Sequence, residues 1–591
     1  MGRIARIDLT SGKVTVEKLE GKLAVDYLGG RGFGARFLYE EVGPSIEPLS
    51  PENILVFASG PLTGTRAPTG GRFSVSTKSP LTGTVLDSNC GGNWGVHLKG
   101  SGYDALIIQG EAAFPVWLYV GKDGITINDA RHLWGLDVVA TTSSLKENIE
   151  DSRLASVLCI GPAGENLVRY ASVINNRGRA VGRGGVGAVM GAKKLKAIVA
   201  FGNHKPTVAD TDGLDFAVYE SQKTIKQSPL TRIALPEFGT AGLVIPMNMV
   251  GAMPVRNFTG CQFEHAEDVS GEALKEHLLV KRRACWGCPI GCARITRTNH
   301  AEGEGPEYES LWALGPECGV HDLSAIAEAN YLCNRLGLDT ISTGVTIGCA
   351  MEMAERGIID FPVRFGDAQG LLACIEDIAS RHSWGDTLAE GSRRFAESHG
   401  AIEYAMQVKG MELPGYEPRA MGGQGLGFAT SNRGACHLRG NLLSAEILGV
   451  PKLVDRLVYQ GSAGLLIYHQ HISAIYDAVG LCKFAGFAIS EEHLARMLSA
   501  VTGISFNPRK LHVTGERIWN LERLYNLREG FTHQDDTLPR RLLEEPLTEG
   551  PAKGRIVNLA PMLAEYYRFR GWDSQGIPTQ QKLRQLGLEE L

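Results

Sequence analysis

The distribution of apolar residues changes character along the chain. Up to about residue 207, short apolar or alternating runs recur. They include residues 53–60 (NILVFASG), 72–79 (RFSVSTKS), 104–110 (DALIIQG), 116–121 (VWLYVG), 154–161 (LASVLCIG) and 196–202 (KAIVAFG), with Gly, Pro and Thr between them. Runs of this length bounded by turn residues predict strands. The start, MGRIARIDLTSGKVTVEK, reads as a β-hairpin turning at Thr10-Ser11-Gly12. From Val208 onward a helical period dominates, most clearly at residues 323–336 (LSAIAEANYLCNRL) and 465–479 (LLIYHQHISAIYDAV). Gly337 and Gly480 follow these two patterns directly, where helix C-caps belong. The expected fold class is α+β: a β-rich segment at residues 1–207, then two mainly helical segments at 208–406 and 407–591. The polar, Pro-containing stretch at residues 535–546 (DDTLPRRLLEEP) is expected to wrap the surface.

Composition narrows the classes. With 60 Lys+Arg against 65 Asp+Glu, the net charge of -5 gives nucleic acid no general foothold. No apolar run reaches the roughly 18 residues of a membrane helix, and the N-terminus lacks a signal core. A soluble cytoplasmic protein is expected, with neither a membrane nor a nucleic acid as partner. Twelve cysteines in 591 residues are too few for a disulfide scaffold and point to metal or redox chemistry.

Three of those cysteines form Cys285-Trp-Gly-Cys288-Pro-Ile-Gly-Cys292. The Cys-x-x-Cys-x-x-x-Cys spacing brings three thiolates to one side of a tight loop. Soft thiolates suit Fe–S clusters or zinc. Structural zinc usually takes two paired Cys-x-x-Cys knuckles, and the sequence has no second one, so a [4Fe–4S] cluster is favoured. On spacing alone, the fourth ligand is any of the nine other cysteines. Cys159, Cys349 and Cys374 lie in apolar runs and read as core residues.

Glycine-rich stretches offer anion sites. Residues 177–194 (RGRAVGRGGVGAVMGAKK) combine arginines with glycines whose backbone N–H groups could approach a phosphate, without the Gly-Lys-Ser/Thr of a Walker loop. Thr69-Gly-Gly-Arg72 and Asn89-Cys-Gly-Gly92 are similar turns. Gly30-Arg-Gly-Phe-Gly-Ala35 loosely follows a dinucleotide fingerprint, but the residues before it read as helix rather than strand. A weak repeat links Asn334-Arg-Leu-Gly-Leu-Asp339 with Asp477-Ala-Val-Gly-Leu-Cys482, each closing a predicted helix.

Together the stretches ASGPLTGTRAPTGGR, TKSPLTG, IGPAGENLVRYA, GRGGVGAVMG, CWGCPIGC, EGPEYESLWALG, LGLDTIST, NRGACH, DAVGLCK and GERIWN, in this order, resemble the tungsten-containing aldehyde:ferredoxin oxidoreductases over essentially the whole chain. The resemblance implies a β-rich N-terminal domain and two helical domains. It implies tungsten, or molybdenum, on two pterins, a Mg2+ linking the pterin phosphates, and one adjacent [4Fe–4S] cluster. It makes Cys482 the fourth cluster ligand beside Cys285, Cys288 and Cys292.

Asp477 would clamp one pterin edge. The matching position in the other motif is usually Asp and is Asn334 here, which offers one carbonyl acceptor and no charge. Arg72 is similar to the arginine that joins cofactor and cluster. Asn89, Gly91, Arg179, Ala180, Gly182, Arg183, Leu338, Asp339, Arg433, Gly434, Leu481 and Lys483 fall at cofactor-contacting positions, and Arg439 stands where lysine is frequent. Glu309 and His437 match the family's acid/base residues, and Tyr416 is a hydrogen-bond donor in the same pocket. Some relatives bridge subunits with a metal on Glu-x-x-His. Here the segment is Glu328-Ala-Asn-Tyr331, so that bridge is not expected.

The implied reaction is oxidation of an aldehyde to the acid, with water as the oxygen source and electrons leaving to ferredoxin or a ferredoxin-like Fe–S subunit. Two rivals remain at this stage. One is the catalytic subunit of a tungsten-dependent benzoyl-CoA reductase, in some of which a cysteine in a segment like Gly315-Pro-Glu-Cys318-Gly sits on tungsten. The other is a non-catalytic metal-binding subunit of a redox complex.

Overall fold

The structure is a computed structural model describing residues 2–147, 149 and 151–590. The alternating N-terminal runs form two six-stranded sheets. The first contains β1 (Arg3–Asp8), β2 (Lys13–Lys18), β3 (Leu55–Ser59), β4 (Phe73–Lys78), β5 (Val85–Cys90) and β6 (Ala105–Gln109) in the order β2-β1-β6-β3-β4-β5. β1 and β6 run parallel, and the other neighbours are antiparallel. The second contains β7 (Val116–Gly121), β8 (Gly124–Asp129), β9 (Ala155–Cys159), β10 (Val173–Asn175), β11 (Arg179–Val181) and β12 (Leu195–Phe201) in the order β11-β10-β9-β12-β7-β8. The central strands are buried on both faces, which is why they read as continuous apolar runs rather than alternations. The edge strands β5 and β11 approach one another. This brings the Asn89 and Arg179 turns to one place.

The expected hairpin forms between β1 and β2. The two strongest helical patterns become Leu323–Leu336 and Ser462–Val479, and both end on left-handed glycines, Gly337 (φ 79°) and Gly480 (φ 85°). Asp339 then caps the next helix, Thr340–Glu355, by accepting from the Ile341 N–H. The cysteine loop joins the first two strands of a small sheet of β13 (Leu279–Arg283), β14 (Ala293–Arg297) and β15 (Glu302–Glu304). Among the described residues, no helix is long and apolar enough to cross a membrane.

The structure reads one segment differently from the sequence, and it shows what the glycines near residue 30 do. Residues 535–546 do not merely wrap the surface. Asp536 is buried against Lys409 (2.9 Å) and Arg523 (3.0 Å), and buried Arg541 grips Glu352 at 2.7 and 2.8 Å. Composition suggested exposure because the opposite charges that admit these residues to the interior come from distant segments. The glycines of Gly30-Arg-Gly-Phe-Gly open a helix, Gly30–Glu41, rather than a phosphate loop. A Cβ on Gly30 would strike the Asp477 carbonyl oxygen, so Gly30 lets this helix pack closely on Ser462–Val479, whereas Gly32 and Gly34 make room for Tyr27 O and Ser76 Oγ.

Candidate metal and cofactor site

Cys285, Cys288, Cys292 and Cys482 all line one cavity of about 420 Å³, together with Arg72, Arg179, Glu309, Tyr416 and His437. Burial, reinforced by neighbouring Cys482, pushes the Cys288 and Cys292 thiols up. Converging thiolates thus call for a cationic group between them. Arg72 donates to the Cys482 sulfur at 3.2 Å and to Asn89 Oδ1 at 3.0 Å, so it ties the cysteine chamber to the neighbouring polar cavity. Gly91 is needed here, because an added Cβ would sit 2.9 Å from the Cys285 sulfur.

That neighbouring cavity, about 200 Å³, is lined by Arg72, Gly91, Arg179, Ala180, Gly182, Asn334, Leu338 and Asp339 among others. Arg179 is held by Glu304 at 2.7 Å, yet its Nη2 is buried without a partner. A buried, unpartnered guanidinium nitrogen beside a glycine-rich wall fits an anionic cofactor. Asp339 is engaged by Arg183 Nε (3.1 Å) and Ser342 Oγ (2.8 Å), so it is an oriented group rather than a free one.

The second Gly-Leu motif is built into a buried ionic network. Asp477 pairs with Lys483 and with Arg439 (2.7 Å), and lies 3.6 Å from Arg31. Burial opposes its ionisation, but Lys483, Arg439 and Arg31 overcome this and hold the carboxyl down at about 2. Arg31 is anchored by a bidentate pair to Glu522 at 2.6 and 2.7 Å. Neither Arg31 nor Glu522 is visible as a site residue in the sequence. Arg31 stands inside the glycine stretch that suggested a nucleotide loop, and Glu522 pairs with it from 491 positions away. Arg433, in the turn with Gly434, donates to Asp87 O at 2.6 Å and to Cys436 Sγ at 2.9 Å. Burial would raise the Cys436 thiol, but Arg433, Arg439 and Arg183 together lower it to about 7. Three guanidiniums converging on one buried thiol mark a strongly anion-favouring pocket. Leu481 is a buried apolar residue of the motif.

The acid/base candidates Glu309 and His437 and the hydrogen-bond donor Tyr416 line the same cavity. Glu309 stands in the first turn of the helix Tyr308–Leu314, and its Oε2 accepts from the Gly415 N–H at 3.0 Å. Its Oε1 lies 3.5 Å from His437 Nδ1 without hydrogen-bond geometry, so both atoms remain free inside the cavity. The Tyr416 ring packs 5.5 Å from the His437 ring, centroid to centroid. Burial raises Glu309 to about 7, against the pull of Gly415, Arg183 and Tyr416. Burial, with Arg183, Arg433, Lys483 and Arg439, pushes His437 well below its usual value, so the imidazole is neutral.

Cys318 and Tyr331 both lie in the interior. Cys318 is fully buried away from the cavity lining, with its thiol on Ala313 O (3.3 Å) and Gly344 O (3.4 Å). Tyr331 is buried, with its hydroxyl 2.6 Å from Thr296 Oγ1 within the same chain.

Family models match both parts of the chain: "Aldehyde ferredoxin oxidoreductase, N-terminal domain" over residues 4–202, and "Aldehyde ferredoxin oxidoreductase, domains 2 & 3" over residues 217–588. The chain belongs to the aldehyde ferredoxin oxidoreductase family. Within it, the tungsten-containing aldehyde ferredoxin oxidoreductase of Pyrococcus abyssi is 46% identical, with 100% of this chain and 99% of the relative covered. A more distant relative is the WOR-like subunit of an aliphatic sulfonate oxidoreductase from Pyrococcus furiosus, 30% identical over 100% of this chain and 97% of its own length. Among solved structures, the active site complex of a benzoyl coenzyme A reductase bound to 1,5-dienoyl-CoA aligns with a TM-score of 0.87 at 25% identity, covering 100% of this chain and 97% of that one.

Proposed function

We propose that the protein oxidises an aldehyde to the carboxylic acid at a tungsten pterin site and delivers the electrons to ferredoxin. The observation that carries this reading is the pair Glu309 and His437, free and facing each other 3.5 Å apart in a cavity shared with four convergent cysteines. Arg72, Asn89, Gly91, Arg179, Ala180, Gly182, Arg183, Asn334, Leu338 and Asp339 on one side would hold the pterins. Arg433, Gly434, Arg439, Asp477, Leu481 and Lys483 would do so on the other, with a Mg2+ between the pterin phosphates. Cys285, Cys288, Cys292 and Cys482 would hold one [4Fe–4S] cluster. When bound, these groups supply a Lewis acid for the aldehyde oxygen, a two-electron sink and a one-electron exit.

The chain's own residues handle the protons. Turning an aldehyde and a water into an acid releases two electrons and two protons. Glu309, with its pKa at about 7, is poised to take a proton from the attacking water at neutral pH. Neutral His437 has one ring N–H to give to the oxygen on which charge develops. Tyr416, buried beside Glu309, orients the carboxylate. Arg72 spans the Cys482 sulfur and Asn89, and so holds negative charge at the border between the two cavities.

The benzoyl-CoA reductase reading draws on the solved-structure similarity. The placement of Cys318, whose thiol is spent on two backbone carbonyls, counts against a cysteine on the metal. Anaerobic assay of an aldehyde panel against an aromatic acyl-CoA, with metal analysis of the same preparation, tests the proposal. Aldehyde-dependent viologen reduction with tungsten or molybdenum and about four irons per chain is expected. Ring reduction without aldehyde turnover, or zinc alone, would overturn it.

A further inference from the structure

Away from the cavities described above, two segments bring three metal-ligating side chains together. Among the described residues, His265, Asp268 and His321 offer ligand atoms that all lie within 4.8 Å of one another. His265 Nδ1 is 3.2 Å and His321 Nδ1 4.0 Å from the same oxygen, Asp268 Oδ2. The two imidazoles stack with centroids 4.1 Å apart. The His265, Asp268 and His321 side chains are 43%, 56% and 55% exposed, so an ion reaches them directly from solvent.

The backbone beneath them is fixed on both sides. Phe263, Ala266 and Val269 are buried and anchor the turn that carries His265 and Asp268. The Asn248 side chain grips that turn, accepting from the Phe263 N–H at 2.6 Å and donating to Phe263 O at 3.1 Å. His321 stands between buried Val320 and Asp322, whose carboxylate caps the helix Leu323–Leu336 by accepting from the Ser324 and Ala325 N–H groups. An ion would therefore order three side chains and no backbone, which keeps the entropic cost small. A zinc ion bonded tetrahedrally at about 2.0–2.2 Å to nitrogen and oxygen needs ligand atoms about 3.3 Å apart. The His265–Asp268 pair already has this spacing. The His321 distance closes when the exposed rings turn about χ2, a broad torsion. The same turn takes the rings out of their stack and, with each proton on Nε2, aims both Nδ1 lone pairs at one point.

Two imidazoles and one carboxylate suit a borderline transition ion rather than Mg2+ or Ca2+, which favour all-oxygen sites. We infer that His265, Asp268 and His321 form a surface site for a divalent transition ion of the zinc type, completed by water, that staples the turn at residues 263–268 to the start of the helix Leu323–Leu336. The far end of that helix carries Asn334, in the wall of the polar cavity. The staple holds the outer end of an element that shapes this wall. The inference does not depend on the proposed function. Without an ion, the same side chains make an exposed ion pair and an imidazole stack, which contribute little to stability.

The test uses the full-length enzyme, washed free of loosely held metal, as wild type, His321→Ala and Asp268→Asn. Zn2+ binding is measured by equilibrium dialysis with metal analysis, and thermal unfolding is followed with and without Zn2+. Circular dichroism matching the wild type reports that the variants are folded. The expected result is one equivalent of zinc in the wild type that either variant weakens by about tenfold or more, since loss of even a ligand's hydrogen-bond partner typically costs about 10- to 100-fold in affinity. Zinc should raise the wild-type Tm and leave the variants' Tm unchanged, and excess Mg2+ should not displace it. Absence of that equivalent, equal zinc binding by the variants, or displacement by Mg2+ would overturn the site.

Discussion

Replacing Glu309 with glutamine is the sharpest test of the proton chemistry. The amide keeps an oxygen for the Gly415 N–H, which now binds Oε2 at 3.0 Å, so the backbone turn is preserved. What is lost is a base with a pKa of about 7, where the ordinary value is 4.5. General-base removal typically costs ~10²- to 10⁴-fold in rate, or roughly 3–5 kcal/mol of barrier. The wild-type rate should rise as pH increases through about 7, because the carboxyl must be ionised to accept the proton. Glu309→Gln should lose that acidic limb together with kcat, with a smaller change in KM. A second, independent readout comes from stability of the protein without its cofactors. Below pH 4.5 the carboxyl is protonated whether the chain is folded or unfolded. Between 4.5 and about 7 the unfolded chain releases its proton and the folded protein keeps it, so stability falls as pH rises. The total loss is roughly 3 kcal/mol once pH has passed 7. Denaturant unfolding at pH 5 and pH 8 should therefore show a drop in the wild type that the glutamine variant lacks. A variant with kcat within threefold of wild type, or one whose stability falls with pH just as the wild type's does, would refute the assignment.

Two further outcomes are expected. Cys482→Ser should lower iron and acid-labile sulfide and abolish electron output to ferredoxin, since it removes one wall of the cysteine chamber; full iron content with undiminished ferredoxin reduction would reject Cys482 as a ligand. Gly30→Ala should lower the urea midpoint by the equivalent of about 2–4 kcal/mol, because the new Cβ meets the Asp477 carbonyl from a backbone at φ 42°; an unchanged midpoint would show that the helix pair can separate at no cost.

The sequence carried the parts of this protein that depend on local chemistry. Apolar runs and their turn residues located most of the sheet strands. The 3.6-residue period and a following glycine located the two helices that end at Gly337 and Gly480, since a left-handed C-cap is a property of a few consecutive residues. The triple-cysteine spacing identified a thiolate loop for the same reason. Motif similarity extended this to Cys482 and the acid/base pair, and the family comparison agrees with the family it named.

Contacts between distant segments were decided by the tertiary structure alone. Arg31 and Glu522, 491 residues apart, meet in the network around Asp477, although each alone reads as an ordinary charged residue. Gly30 shows itself to be a packing residue only once the Ser462–Val479 helix lies against it. Arg541 is buried because Glu352 is waiting for it. Cys318 lies in the same kind of glycine-containing turn as a metal ligand would, yet it points at two carbonyls in the core. The raised pKa of Glu309 belongs to this class too. It comes from burial of the carboxyl, and burial is a property of the folded solid rather than of any window of the chain.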